Sequence, residues 1–283
     1  MDQGSELMKL ALFGSPVKSS LSPRIHGLFA EQFDLEINYQ ALETQLEGFP
    51  DALEAFRQAG GVGCNVTLPL KRKAWQLALE STTAVKLAQA ANTLVRHGSG
   101  WAAHNTDGAG LVADLTGNHG IELAGQRILI LGAGGAAAGI LGDLLACDPR
   151  EIMLVNRSPD PARALAKRYS KVGWVTVTPL QDLPCMDFRN NGGFDLVINA
   201  TSLGHQGDAP PLTRDMFTRD GLCYDLNYFK ASLPLKRYCK ELRQPYIDGL
   251  GMLVEQAAKS FYIWTCKRPD TRVVIEACKK DIG

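Results

Sequence analysis

A glycine-rich turn between a short apolar run and a helical stretch limits the folds open to this chain of 283 residues. Residues 128–131 are apolar and lead directly into Gly132-Ala-Gly-Gly-Ala-Ala137. At such a turn the first glycine permits tight reversal, the second lets backbone N–H groups approach a pyrophosphate, and a small third residue lets the helix pack close to the strand. The N-terminus of the helix also favours an anion. The motif therefore predicts a Rossmann-like unit that binds a dinucleotide, and the contacting positions would be Gly132, Ala133, Gly134, Gly135 and Ala136.

Apolar runs alternate with helical stretches on both sides of this turn. Before it, strands are expected at residues 9–13, 37–42 and 63–66, with a small hairpin formed by residues 93–96 and 100–104. After it, the alternation continues in the way that a parallel sheet requires. We therefore predict an α/β protein of two domains: an N-terminal α/β substrate domain and a Rossmann-like, doubly wound dinucleotide-binding domain. The predicted domains are residues 8–114 with 248–283, and residues 115–247.

Length, charge and cysteine usage exclude several classes of protein. A chain of 283 residues exceeds the usual size of a single core. Lys plus Arg equal Asp plus Glu at 30 each, so no net field attracts nucleic acid or anionic lipid. The seven cysteines form no C-x-x-C pair and the five histidines show no ligand spacing, which argues against a metal site. No apolar run is long enough to span a membrane. Residues 1–8 lack the pattern of a secretory signal. We expect a cytoplasmic monomer or homodimer without a metal, whose partners are small molecules.

The end of the strand after the glycine-rich turn indicates which dinucleotide is preferred. Rossmann folds that prefer NAD carry an acidic residue there, about 20 residues past the glycines, whereas a 2′-phosphate is bound by arginine. Here the strand runs into Asn156-Arg157-Ser158. Because Arg157 can present a planar fork to a phosphate, NADP is favoured. Two alternatives remain open: Arg157 is only a solvated loop cation, or Asp160 allows some use of NAD.

Two polar segments predict an acid/base pair. Asn65-Val-Thr-Leu-Pro-Leu-Lys71 and Asn105-Thr-Asp-Gly108 each place amides, a hydroxyl and one charged group at the end of an apolar run. Hydride delivery to a ketone leaves negative charge on oxygen, which an ammonium can stabilise and protonate. Lys71 and Asp107 would supply this ammonium and the carboxylate that orients it, beside a nicotinamide ring in a groove between the two halves. The alternative is a structural ion pair between two loops.

A further pair of hydroxyls precedes the first helix. Ser20 and Ser22 lie at alternate positions beside the helix that begins at Pro23. Neutral donors next to a helix N-terminus suit a carboxylate that must leave after each turnover. The Ser22 hydroxyl is also predicted as the N-cap of this helix, a role that can coexist with anion binding. The alternative is that the serines only cap the helix.

Taken together, the motifs resemble those of the shikimate dehydrogenase family. The resemblance runs from about Leu10 to Trp264 and keeps the family's order and spacing. Nine segments carry it: residues 14–26, 65–71, 91–93, 105–108, 132–136, 156–158, 199–202, 224–228 and 248–258.

The resemblance implies NADPH-dependent reduction of 3-dehydroshikimate to shikimate, a step in the biosynthesis of aromatic amino acids. It implies that Lys71 and Asp107 are the catalytic pair. The substrate carboxylate would be held by Ser20, Ser22 and Tyr228, and the ring hydroxyls by Asn65, Thr67, Asn92, Asp107 and Gln256. Cofactor contacts would come from Gly132 to Ala136, Asn156, Arg157, Ser158, Thr201 and Gly249.

Two other functions remain compatible with the same residues. One is a quinate/shikimate dehydrogenase that uses NAD or both cofactors. The other is a non-catalytic sensor that binds NADP and a shikimate-like acid. Retention of both Lys71 and Asp107 argues against a sensor, because a protein that only binds gains little from a poised proton donor.

Overall fold

The computed structural model describes residues 7–188 and 192–282 of the chain. Residues 1–6, most of the amino-terminal segment considered above for a secretory signal, lie outside the described residues. The chain divides into two compact units, Met1–Gly110 with Val254–Gly283, and Leu111–Leu253. Each unit contains a six-stranded sheet flanked by helices, which confirms the predicted two-domain α/β class.

The first unit contains a mixed sheet in the order β2-β1-β3-β5-β6-β4. β1 pairs in parallel with β2 and β3, whereas β5 is antiparallel to both β3 and β6, so the predicted hairpin is present. The strands are β1 (Met8–Gly14), β2 (Ile37–Glu43), β3 (Gly61–Val66), β4 (Glu80–Ser81), β5 (Thr93–His97) and β6 (Gly100–His104).

Helices cover this sheet because the central strands carry apolar side chains on both faces. In β1 and β3 almost every residue is buried, and one core cluster joins Phe13, Phe49 and Leu94. The helices of the first unit are α1 (Ser22–Glu31), α2 (Phe49–Gln58), α3 (Lys71–Leu77) and α4 (Thr83–Ala88). The chain passes between the units within α5 (Asp107–Ala113) and again within α9 (Leu250–Thr265), which is followed by α10 (Thr271–Ile282).

The second unit contains an entirely parallel sheet in the order β12-β11-β10-β7-β8-β9. Numbered from its own first strand, this order reads 6-5-4-1-2-3, the doubly wound arrangement of a Rossmann fold. The strands are β7 (Arg127–Leu131), β8 (Glu151–Asn156), β9 (Val175–Pro179), β10 (Phe194–Asn199), β11 (Phe217–Asp225) and β12 (Tyr246–Ile247). The helices are α6 (Gly135–Ala146), α7 (Pro159–Tyr169) and α8 (Leu233–Glu241).

One local prediction is wrong. α1 begins at Ser22, its N-cap position is Leu21, and Leu21 provides no side-chain cap. Leu21 has φ −78° and ψ −9°, so the backbone is already helical where an N-cap residue needs an extended conformation. Ser22 is thus the first helical residue and Pro23 the second, and the Ser22 hydroxyl is not used as a cap.

Candidate active site

Lys71 and Asp107 meet as a close ion pair in the first unit. Lys71 Nζ lies 2.5 Å from Asp107 Oδ2, and the two side chains are only 14% and 8% exposed. Each is the first residue of a helix, α3 and α5 respectively, so the alternative of an ion pair between two loops does not describe them. Asp107 at this position benefits from the positive end of the α5 dipole. Burial strengthens the attraction between the two charges, while a small part of the Lys71 side chain remains exposed to solvent.

Asn92 fixes the direction of the Asp107 carboxylate. Asn92 Nδ2 donates to Asp107 Oδ1 and to Thr106 Oγ1, both at 2.8 Å. Asn92 Oδ1 accepts from the Thr106 backbone N–H at 2.9 Å and from Thr93 Oγ1 at 2.9 Å. Gln256 Oε1 also lies 3.1 Å from Asn92 Nδ2. Both carboxylate oxygens of Asp107 are therefore engaged, one by Lys71 and one by an amide that is itself held in place.

Asn65 lies behind this group at the end of β3 and is 5% exposed. Its Oδ1 accepts from Tyr39 Oη at 2.8 Å and pairs with His26 Nε2 at 3.1 Å. Its Nδ2 lies within 3.2 Å of three acceptors: the Asn92 carbonyl, Thr93 Oγ1 and Ser260 Oγ. All hydrogen-bonding positions of this amide are occupied by protein groups. A ligand hydroxyl can therefore bond Asn65 only by displacing one of them.

His26 is fully buried and neutral. Burial lowers the pKa of His26 to about 3, only partly opposed by the hydrogen bond to Asn65. Its ring stacks on that of Tyr39 with centroids 4.4 Å apart. Since Asn65 Oδ1 can only accept, the neutral ring carries its proton on Nε2.

The two serines proposed for a carboxylate lie side by side. Ser20 Oγ donates to Ser22 Oγ at 3.1 Å, and the backbone N–H of Ser22 donates to Ser20 Oγ at 3.2 Å. Ser22 is buried and Ser20 half-buried. Ser20 Oγ thus accepts from the first N–H of α1, whereas the Ser22 hydroxyl does not cap the helix and can turn toward an anion. Thr67, half-buried just after β3, is fixed by a bond from its backbone N–H to the Phe13 carbonyl at 2.9 Å.

In the second unit the glycine-rich turn forms a cradle at the N-terminus of α6. Gly132 has φ +107°, and a Cβ there would press against the carbonyl oxygen of Ala200 at 2.9 Å. Gly134 is exposed, and a Cβ on it would meet no protein atom within 4 Å. Ala133, Gly135 and Ala136 are half-buried around it. The exposed N–H groups and open space fit the pyrophosphate of a dinucleotide.

The end of β8 carries a cation and no free acid. Asn156 Nδ2 donates to the Ser158 carbonyl at 2.8 Å, which shapes the turn, and Arg157 is exposed. Asp160, considered above as a contact for NAD, forms an exposed ion pair with Arg163 at 3.2 Å. This arrangement suits a 2′-phosphate better than a free ribose hydroxyl.

Thr201 and Gly249 belong to one hydrogen-bonded group in the second unit. The backbone N–H and the hydroxyl of Thr201 both donate to Asn199 Oδ1, and its carbonyl accepts from Asn227 Nδ2. Gly249 N–H donates to the Asn227 carbonyl at 3.0 Å. The centre of the group is Asp225, whose Oδ1 accepts from Asn199 Nδ2 at 2.9 Å and from Asn227 Nδ2 at 2.8 Å. Burial raises the pKa of Asp225 to about 6.

The structure thus connects five predicted residues of the first unit by direct contacts: Lys71, Asp107, Asn92, Gln256 and Asn65. Tyr228 lies in the second unit, half-buried against Phe229, and burial raises the pKa of its hydroxyl, which therefore stays a neutral donor.

Five further residues hydrogen-bond to Asn65 or Asn92 and complete what we call the site network. The sequence assigns no role to any of them: His26, Tyr39, Thr93, Thr106 and Ser260. Thr93 and Thr106 stand next to assigned residues within the polar motifs. Ser260 follows Gln256 by four positions in α9, so the two lie on the same helix face. The four-residue spacing could therefore have identified Ser260 from the sequence. Nothing in the sequence around Tyr39, which lies in the edge strand β2, indicates that it bonds to the site.

Within the described residues, no cluster of His, Cys, Asp and Glu could hold a metal ion. The same part of the chain contains no helix long and apolar enough to cross a membrane.

Comparison with known proteins identifies the family. Three family models match: the shikimate dehydrogenase substrate binding domain at residues 12–94, shikimate/quinate 5-dehydrogenase at residues 114–207, and the shikimate 5′-dehydrogenase C-terminal domain at residues 249–279. A shikimate dehydrogenase (NADP(+)) of Xanthomonas oryzae is 43% identical over 274 residues, covering 96% of this chain and 95% of the relative. The chain belongs to the shikimate dehydrogenase family.

Solved structures agree with this membership. An Ael1 enzyme from Pseudomonas putida has a TM-score of 0.86 at 38% identity, covering 95% of this chain and 97% of that one. A shikimate 5-dehydrogenase of Thermus thermophilus, in complex with NADP(H) and shikimate, has a TM-score of 0.80 at 31% identity, covering 97% of this chain and 99% of that one. The predicted resemblance to shikimate dehydrogenases is thereby confirmed.

Proposed function

We propose that this member of the shikimate dehydrogenase family catalyses the NADP(H)-dependent interconversion of 3-dehydroshikimate and shikimate. Its working direction is reduction of the ketone, within the synthesis of aromatic amino acids. The observation that carries the proposal is the buried Lys71–Asp107 pair, oriented by Asn92, in a chain so similar to a shikimate dehydrogenase (NADP(+)).

Lys71 has the chemistry needed at the reacting oxygen. The reduced dinucleotide, when bound, supplies the hydride that attacks the carbonyl carbon. As the C=O bond becomes C–O, Lys71 Nζ stabilises the growing negative charge and transfers a proton to that oxygen. Asp107 keeps the ammonium aligned, because its Oδ2 is 2.5 Å from Nζ while its Oδ1 is fixed by Asn92. In the oxidation of shikimate the same Lys71, as the free amine, accepts the proton.

The remaining predicted residues of the first unit hold the substrate. Ser20 and Ser22 present adjacent hydroxyls to its carboxylate, together with the neutral hydroxyl of Tyr228. Thr67, Gln256 and Asp107 offer polar atoms to the ring hydroxyls, and Asn65 and Asn92 do so if a ligand displaces one of their present partners. Apart from the Asp107 carboxylate, these groups are neutral, so they bind a polyol through hydrogen bonds of moderate strength and release it after turnover.

The second unit binds the dinucleotide. Backbone groups at Gly132 to Ala136 surround the pyrophosphate, and Arg157, with Asn156 and Ser158 beside it, contacts the 2′-phosphate. Thr201 and Gly249 line the same edge of the sheet, where β10 and β11 end. We assign substrate binding to residues 8–114 with 248–283, and NADP binding to residues 115–247 together with Gly249 at the start of the returning segment.

We further propose that the protein acts in the cytoplasm as a monomer or homodimer, on small molecules alone. All seven cysteines are free in the structure, which suits a reducing compartment.

Steady-state assays of dinucleotide absorbance test this function. Purified protein is supplied with shikimate or quinate, each with NADP or NAD. We expect the highest kcat/KM with shikimate and NADP. A preference for quinate or NAD would instead indicate a quinate/shikimate dehydrogenase. No turnover with any pair, despite binding of NADP and shikimate by calorimetry, would indicate a sensor.

A further inference from the structure

Ser260 is a buried hydroxyl at the back of the proposed substrate site. It lies in α9, one turn after Gln256, and is 0% exposed. It therefore cannot touch a ligand. No role follows for it from the motifs, yet it contacts residues from three other segments of the first unit.

The hydrogen bonds of Ser260 connect those segments. Its Oγ lies 3.0 Å from Asn65 Nδ2, 2.7 Å from Thr93 Oγ1 and 3.2 Å from Thr106 Oγ1. It also donates to the Gln256 carbonyl at 3.1 Å. A serine hydroxyl has one proton and two lone pairs. That proton is shared between the Gln256 carbonyl and Thr93 Oγ1, because Thr93 gives its own proton to Asn92 Oδ1. The two lone pairs of Ser260 Oγ then accept from Asn65 Nδ2 and Thr106 Oγ1.

These contacts place Ser260 behind Asn92. Thr93 Oγ1 donates to Asn92 Oδ1 at 2.9 Å, and Thr106 Oγ1 accepts from Asn92 Nδ2 at 2.8 Å. Ser260 holds both threonine hydroxyls, so it fixes the two groups that determine how the Asn92 amide is turned. Asn92 in turn donates to Asp107 and lies beside Gln256.

We propose that Ser260 is a positioning residue for substrate recognition: it orients the Asn92 and Asn65 amides through Thr93, Thr106 and a direct bond. The proposal rests on the function proposed above, in which these amides serve the ring hydroxyls. Networks of buried hydroxyls and amides are sensitive to loss of one member, because the remaining groups keep their desolvation cost.

The test is Ser260→Ala, with Thr265→Ala as the matched control. Thr265 lies in the same helix and likewise donates to the carbonyl four residues earlier, Phe261 O at 2.7 Å, but its bonds to Phe261 and Lys267 involve no residue of the site network. Loss of one network bond corresponds to about a fivefold to tenfold change in an equilibrium constant. We expect S260A to raise KM for shikimate by about that factor, with kcat within about threefold and KM for NADP unchanged, and T265A to leave all three unchanged.

A double-variant cycle separates positioning from general destabilisation. If Ser260 acts through Thr93, then Thr93→Val combined with S260A raises KM for shikimate no further than the worse single variant. Thermal unfolding is measured for every variant, so that a loss of folded protein is not read as weak binding. Equal kinetics for S260A and T265A, or additive effects in the double variant, would overturn the inference. A wild-type protein that turns over no shikimate would instead overturn the proposed function on which it rests.

Discussion

At the scale of single residues, the site depends on how Lys71 and Asp107 are held. A short ion pair alone leaves a lysine several rotamers, but here the carboxylate is fixed from its other oxygen by Asn92. The ammonium is therefore held against a carboxylate oxygen whose own position is fixed. Such preorganisation is what makes a proton donor effective at the moment the alkoxide charge develops.

Replacing Lys71 with methionine should remove the proton transfer and keep the packing of the side chain. We expect kcat to fall by about 10²- to 10⁴-fold, with the dissociation constant for shikimate within a few-fold of wild type. Stopped assays for kcat and calorimetry for binding measure the two quantities. Activity that survives within a few-fold would show that another group protonates the oxygen.

Arg157 should govern the choice between NADP and NAD. It is exposed at the end of β8, where the neighbouring acid Asp160 is already paired with Arg163. Loss of a charged hydrogen bond to a phosphate corresponds to about a 10- to 100-fold change in KM. We expect Arg157→Ala to raise KM for NADP by that factor and KM for NAD far less, with Lys167→Ala, an exposed cation of α7, as the control. An equal rise in KM for the two cofactors would show that Arg157 does not recognise the 2′-phosphate.

At the scale of secondary structure, the central strands follow from the sequence far better than the helix termini do. β7, β8 and β10 each contain a run of three or four apolar residues, because helices cover both faces of a parallel sheet, so their positions can be read from the sequence. The helix α3 is not evident from the sequence, because it has only seven residues and its first three are all cations, which leaves little apolar periodicity. The predicted capping role of Ser22 fails because Leu21 is already helical, a backbone state that no residue type dictates.

Two glycines of the glycine-rich turn before α6 are expected to respond differently to substitution. Gly132 has φ +107° and Gly134 has φ −83°, so only the first requires a conformation that side chains rarely adopt. We expect Gly132→Ala to lower the free energy of unfolding by about 1 to 3 kcal/mol through strain and contact with Ala200. Gly134→Ala should leave the unfolding temperature unchanged but raise KM for NADP by about tenfold or more, because its Cβ occupies the space for the pyrophosphate.

Thermal unfolding and NADP kinetics on both variants check this pair. If G134A binds NADP as wild type does, the phosphate lies elsewhere. If G132A is as stable as wild type, the turn relaxes without cost.

At the scale of the whole molecule, two α/β units and the motifs of each can be predicted, because residues within a motif are close along the chain. The site network cannot be predicted in the same way, because its hydrogen bonds join segments that are far apart in sequence. Asn65 and Ser260, for example, are separated by 195 residues. Whether Asn65 faces a ligand or its own protein depends on how β2 and α9 pack around it, with Tyr39 and Ser260 filling its bonds. Local pattern carries no information about that packing.

Stability of the whole chain should depend on pH through His26. Its pKa is about 3 in the folded protein against an ordinary value of 6.5, because burial disfavours the charged ring. Between these values the unfolded chain binds a proton that the folded one does not, so the free energy of unfolding falls as pH is lowered from 6.5 toward 3, by at most about 1.4 kcal/mol per pH unit. Asp225 acts in the opposite sense, since its pKa is raised to about 6 and the folded state takes up its proton first.

The contribution of His26 is isolated by comparison with His26→Gln, which keeps an N–H for Asn65 but has no charge to gain. Urea unfolding at about pH 7, 6 and 5 gives the slope for each protein, and Asp225 contributes equally to both. We expect H26Q to be less stable at neutral pH, because the stack on Tyr39 is lost, yet to lose less stability on acidification than wild type. Parallel slopes for the two proteins would mean that His26 accepts its proton inside the folded chain, and that the aromatic cluster around it opens more readily than its burial implies.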